Sequence, residues 1–213
     1  MSRVICVMGE SGSGKTTSCR TLDPTSTYYI DADKKGLSWK GWRRQYNAEL
    51  KNYVSTDDPA LVQTVLRGVS DTRPEIKTIV VDTLNGIMVG DEMRRVKEKG
   101  YDKWVDIASF VWNIVDGAYG YRDDLTIVFL CHTQTERDDN GYAWTRIKTN
   151  GRKLDKIVLE SKFTTVLLAK VVKGKYVFET QSNNSTAKTP LGAFDAPEID
   201  NDISKVIKAL EEF

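Results

Sequence analysis

No stretch of the 213-residue chain is apolar for the roughly 18 residues that a helical membrane span requires, so membrane insertion is not expected. Cysteine is scarce. Cys6, Cys19 and Cys131 have no C-x-x-C spacing, which argues against a disulfide framework and a structural zinc site. Histidine occurs once, at His132, leaving one imidazole for any proton-transfer or sensing role. Charge of one sign is missing too: 31 basic residues face 30 acidic ones, so the overall balance selects no partner. The chain has no internal repeat and no linker-like stretch, and its first core strand begins within three residues of Met1. That leaves no room for a signal segment and predicts a cytoplasmic protein, folded as one domain over residues 1–213.

Against these absences stands one strong signal. Gly9-Glu10-Ser11-Gly12-Ser13-Gly14-Lys15-Thr16 fits the phosphate-binding pattern G-x-x-x-x-G-K-[ST] at every fixed position. The apolar run Arg3 to Met8 before it reads as a buried strand, and the Thr17-containing stretch after it as the opening of a helix. The glycines then lie in a strand-to-helix turn, where backbone N–H groups can cradle an anion. In that context Lys15 is expected to reach the β/γ-phosphates of ATP and Thr16 to ligate Mg²⁺.

The remaining pattern is α/β. Thr27 to Asp31, Lys77 to Thr83 and Leu125 to His132 are strand-like, and the continuous apolar character of the latter two predicts central parallel strands covered on both faces. Asp57-Asp58-Pro59 opens an amphipathic helix. A polar segment from Val89 to Lys103 precedes an apolar helix from about Trp104 to Tyr119. Further strands are expected at Thr164 to Val172 and Tyr176 to Glu179, and a last helix from about Ile203 to Glu212. Thr133 to Gly151 has no periodicity and is expected to be a mobile loop of functional character.

Asp82 ends a central strand, where a carboxylate could hold Mg²⁺. Asp33 follows the second strand and could orient the attacking water; an ordinary strand-end turn would also account for it and for Asp31. His132 falls at the carboxyl edge of the sheet, where ligands of doubly wound folds sit, although a lone histidine is more often a satisfied hydrogen-bonding residue. From Arg146 to Lys175 basic residues dominate, as suits a polyanion, though a solvated face would look the same. Arg137, Tyr142, Trp144, Arg146, Lys148 and Arg152 combine cations with rings on which bases of single-stranded nucleic acid could stack; a surface loop with incidental aromatics is the competing reading.

Together with the phosphate loop, Tyr29-Ile30-Asp31-Ala32-Asp33, Thr78 to Thr83 and Val128 to Gln134 resemble the ATPase core of RecA-type recombinases. The likeness is greatest to small phage-encoded single-strand annealing proteins, often described as AAA-type nucleotide-binding proteins, and covers about residues 3 to 190. It implies a RecA-like core with a central, mostly parallel sheet flanked by helices. It also implies a DNA-stimulated ATPase that assembles into a ring or filament. The family's catalytic acid falls on Asp33, an Asp where RecA has Glu, and its γ-phosphate-sensing residue on His132, with Gln134 nearby. The DNA-binding loops fall on roughly 89–103 and 133–151. A small P-loop kinase and a non-catalytic nucleotide switch are the alternative readings. Lys15→Ala should leave the fold intact and abolish ATP binding or turnover, because loop amides alone cannot replace the cation at the β/γ-phosphates; calorimetric titration with ATP checks this.

Overall fold

The computed structural model describes residues 1–100, 102–149 and 158–213. Strands β1 (Arg3–Gly9), β2 (Thr27–Asp31), β3 (Tyr53–Ser55), β4 (Thr78–Asp82), β5 (Thr126–Arg137), β6 (Ala143–Ile147), β7 (Thr165–Val172), β8 (Lys175–Glu179) and β9 (Glu198–Asp200) build one sheet. Its order is β3-β2-β4-β5-β1-β7-β8-β9, with β6 paired to the outer half of β5. Pairing is parallel from β3 through β7 and antiparallel at β8 and β9.

Both faces of the central strands are covered, which explains their unbroken apolar runs. Side chains alternate across a strand. Val4, Cys6, Met8, Ile79, Val81, Ile127 and Phe129 face helices α2 (Pro59–Thr72), α3 (Leu84–Arg94) and α4 (Asp102–Ala118). Ile5, Val7, Val80, Val128 and Leu130 face the opposite layer. That layer holds the 3-10 helix Thr16–Thr21, α5 (Ile203–Ala209) and the aromatic segment around α1 (Trp42–Gln45). Tyr29, Trp39 and Tyr46 pack there edge to face. The Asp58 carboxylate accepts the Ala60 N–H at 2.9 Å, with Pro59 in the first turn of α2.

Three expectations change. The segment after the phosphate loop is a six-residue 3-10 helix. The expected polar segment at 89–103 is partly helical, because α3 starts earlier, at Leu84, with the Thr83 hydroxyl accepting the Gly86 N–H at 3.0 Å. Within 133–151, the described residues 133–149 include a β-hairpin: β5 continues to Arg137, and β6 returns in register from Arg137↔Ala143 to Thr133↔Ile147. The turn is fixed by Asp138, whose carboxylate accepts the Asn140 and Tyr142 N–H groups, and by Gly141 at φ +83°. Both faces of this hairpin carry polar residues, so its strand period leaves no apolar alternation to detect.

The hairpin also corrects the reading of Arg146. This residue is buried, with its guanidinium 3.1 Å from Glu136 and 3.6 Å from the equally buried Glu160. Glu160 in turn accepts the Ile147 N–H at 2.6 Å. A charge held this way anchors the hairpin to the body and is not presented to a polyanion. Arg152, another of the cations expected to meet nucleic acid there, lies outside the described residues. Removing one member of a buried pair strands the other charge, so Arg146→Ala should destabilise the protein by about 3 kcal/mol or more. Urea unfolding of wild type and variant measures this.

Candidate nucleotide site

β1 delivers the chain to Gly9, and residues Glu10 to Lys15 form the loop at the carboxyl edge of the sheet. Gly12 (φ +81°) and Gly14 (φ +95°) adopt left-handed conformations that other residues reach only with strain. The loop is closed by the Ser13 N–H donating to the Glu10 carbonyl at 3.2 Å. The Lys15 ammonium donates to the Gly9 and Glu10 carbonyls, each at 2.8 Å. Burial draws the Lys15 pKa down, while the charge of Asp82 opposes that shift. Glu10, Ser11 and Gly12 are exposed, and Thr17 shares a 2.9 Å hydroxyl contact with Ser38.

Asp82 lies opposite this loop. Its Oδ2 accepts the Thr16 hydroxyl at 2.7 Å and the Tyr29 hydroxyl at 2.8 Å, and its buried Oδ1 has no hydrogen-bond partner. Burial raises the carboxyl pKa to about 6, against the lowering effect of the two hydroxyls. These oxygens fit magnesium, a hard cation usually bound by one or two protein oxygens together with phosphate and water. Among the described residues no cluster of three His, Cys, Asp or Glu side chains could cage a metal without such help.

Asp31 and Asp33 separate because β2 ends at Asp31 and the chain turns before Asp33. Asp31 is buried and structural: its carboxylate accepts the Gly36 N–H at 2.8 Å and the Tyr53 hydroxyl at 2.7 Å. Asp33 instead accepts the Thr83 hydroxyl at 2.8 Å and a hydrogen bond from Lys35, and stands 4.0 Å from the His132 Nε2. Burial would raise the Asp33 pKa, but those two hydrogen bonds and the neighbouring charges hold it below the usual range. His132 has a lowered pKa, from burial first and the Lys15 charge second, so the imidazole is neutral at pH 7.

His132 pairs with Gly9 at the last step of the β1–β5 ladder, so it stands where β5 leaves the body and enters the hairpin. Asn85 locks this corner. Its Oδ1 accepts the His132 N–H at 2.7 Å and its Nδ2 donates to the Lys148 carbonyl at 2.7 Å. A cleft of about 840 Å³ opens beside Asp33, Lys35, Asn85 and His132, with Val89, Met93 and Arg94 of α3 on its far wall. Gly86 keeps α3 close, since a Cβ there would come within 2.7 Å of the Ala32 carbonyl and the Asp33 carboxylate. Sequence reasoning missed Tyr29, Thr83 and Asn85. The last two sit in Asp82-Thr83-Leu84-Asn85, where polar residues directly after a strand-end acid are the available signal.

A phosphate loop on one central strand and a buried acid at the end of another, with β5 between them, define a P-loop NTPase with a RecA-like core. A family model described as "AAA domain" matches residues 1–191, and the chain belongs to that family of nucleotide-binding ATPase domains. Among solved structures, a KaiC-like protein of the hyperthermophilic archaeon Pyrococcus horikoshii OT3 is similar at 10% identity and a TM-score of 0.46, covering 83% of this chain and 76% of that one. No curated protein matches. Among the described residues no helix is long and apolar enough to cross a membrane.

The raised pKa of Asp82 sets a pH dependence with a definite sign. Between about 4, the unfolded value, and about 6, the folded metal-free protein holds a proton that the unfolded chain has released, so its stability increases as pH falls through that window. Magnesium needs the ionised form. Lowering pH from 7 to 5 should therefore raise the Mg²⁺ concentration for half-maximal ATP turnover by about tenfold beyond any shift in Asp82→Asn. Metal titrations of both proteins at the two pH values measure the difference.

Proposed function

We propose that this protein is an ATP- and Mg²⁺-dependent ATPase that binds single-stranded DNA and works as an oligomer in phage recombination or strand annealing. Lys15 and the loop amides of residues 9–17 would hold the triphosphate, Thr16 and Asp82 the magnesium, and Asp33 would orient the attacking water. His132 would report the γ-phosphate to the hairpin. When bound, Mg²⁺ would neutralise charge developing on the phosphates.

One observation carries the nucleic-acid part. At the hairpin end Tyr142 and Trp144 stack, with centroids 6.1 Å apart and an interplanar angle of 21°. Tyr142 is exposed, as is Arg137 across the hairpin from Ala143, while Lys148 is exposed at the hairpin root. Aromatic rings with one exposed cation beside them and another along the same hairpin suit single strands, whose bases stack while their phosphates pair. The hairpin is continuous through β5 with His132, which supports coupling between DNA and hydrolysis. The resemblance of the ordered motifs to phage annealing proteins supports the biological setting and the oligomer.

The cleft beside Asp33 favours a second reading, a P-loop kinase, because 840 Å³ exceeds what one attacking water needs and could admit a phosphoryl acceptor. Phosphate-release assays with and without single-stranded DNA separate the two: stimulation by DNA fits the first, and release indifferent to DNA overturns it. For the hairpin, Trp144→Ala should lower affinity for an oligonucleotide by about 1–3 kcal/mol with little change in salt dependence. Lys148→Ala should instead reduce the slope of log affinity against log salt by about 0.7. Anisotropy titrations at several salt concentrations measure both.

A further inference from the structure

On the outer side of the phosphate loop, away from Asp33 and His132, Gly14 is covered by two side chains that the catalytic reading does not use. An added Cβ at Gly14 would lie 2.7 Å from the Tyr176 ring and 3.2 and 3.3 Å from the two amide atoms of Asn201. Asn201 is only 5% exposed, and both its Oδ1 and Nδ2 are buried without a hydrogen-bond partner. An amide left so costs stability unless something satisfies it. Neither orientation of the amide changes this, because both atoms are orphaned.

The position is built rather than incidental. Asn201 follows β9, which pairs with β8, the strand that carries Tyr176. Its carbonyl accepts Arg20 from the 3-10 helix at 3.1 Å. The next residue, Asp202, accepts the Thr21 hydroxyl at 2.6 Å and caps α5 through the Ser204 N–H at 3.0 Å. Asn201 is thus tied to the segment that leaves the phosphate loop, and it lies beyond the residues 1–191 matched by the family model. Tyr176 is half exposed.

We propose that Tyr176 and Asn201 form the base-reading part of the nucleotide site: the ring stacks on the base, and the carboxamide, uncovered as the base seats, pairs with the N6/N7 edge of adenine. Adenine offers an amino donor next to a ring-nitrogen acceptor, which one carboxamide satisfies with both of its atoms; the O6/N7 edge of guanine offers two acceptors and leaves the amide oxygen unpaired. This inference rests on the phosphate-loop reading, and inorganic tripolyphosphate separates the two because it has phosphates and no base.

Calorimetric titrations of the full chain with ATP, GTP and tripolyphosphate, each with Mg²⁺, test it. Asn201→Ala should weaken ATP about tenfold, move the ATP-to-GTP affinity ratio toward one, and leave tripolyphosphate unchanged. Tyr176→Ala should weaken ATP and GTP together, again about tenfold, while Tyr176→Phe behaves as wild type. Because Tyr176 is a surface position, its variants keep the test open if Asn201→Ala misfolds. Wild-type ratios of ATP to GTP and to tripolyphosphate in Asn201→Ala would overturn the amide's role, and unchanged ATP affinity in Tyr176→Ala would overturn the ring's. Parallel loss of tripolyphosphate would reduce Asn201 to loop packing and overturn the proposal. A wild-type chain that binds neither ATP nor tripolyphosphate would remove the phosphate-loop reading itself.

Discussion

The buried carboxylate of Asp82 is the constraint around which the site is organised. A carboxylate taken out of water must be satisfied, and here the Thr16 and Tyr29 hydroxyls both reach one of its oxygens. Those contacts tie the phosphate loop, β2 and β4 together across the carboxyl edge of the sheet. Parallel strands make this possible, because every strand from β3 to β7 ends on that edge, where the adjoining loops converge. The uncommitted oxygen and the raised pKa follow from the same burial. Without a metal, the site accordingly favours a proton in acid.

A second set of contacts joins that edge to the hairpin. Asn85 holds the backbone of His132 and of Lys148 with one carboxamide, and Lys148 follows β6 directly. Asp33, Thr83 and His132 stand at the root of the hairpin, and Tyr142 and Trp144 at its far end. Arg146 and Glu160 fix the hairpin against the body, so a displacement at its root would be carried by a stiff two-stranded element. This is the physical route by which the proposed nucleotide and DNA sites could communicate, and Asn85 is its narrowest point.

Much of this was legible in one dimension, for identifiable reasons. The phosphate loop is contiguous in sequence, and its glycines and lysine are demanded by local backbone geometry and by charge. Central strands announce themselves when both faces are apolar, as at Ile79-Val80-Val81 and Ile127 to Cys131. The cap of α2 depends on Asp58 and Pro59, neighbours in the chain. Less legible were β3, with three residues, and the hairpin, whose faces are both polar. Arg146 misled because a cation in one dimension carries no sign of burial. Its partners, Glu136 and Glu160, are ten and fourteen positions away; pairing of β6 with β5 brings the first to it, and packing of the 3-10 helix Leu159–Lys162 brings the second.

The sequence by itself determined that a triphosphate-binding loop is set in an α/β core, because those signals arise from residues adjacent in the chain and from strand-length apolar runs. Tertiary structure alone decided which of two acids two residues apart is structural and which faces the cleft, since Asp31 meets Tyr53 and Gly36 whereas Asp33 meets Thr83 and His132. It also decided that Tyr29 supports the acid at residue 82 and that Asn201 lies against Gly14. Those choices depend on strand order and on burial, which bring together groups 53 and nearly 190 residues apart, and no local pattern encodes contacts made over such distances.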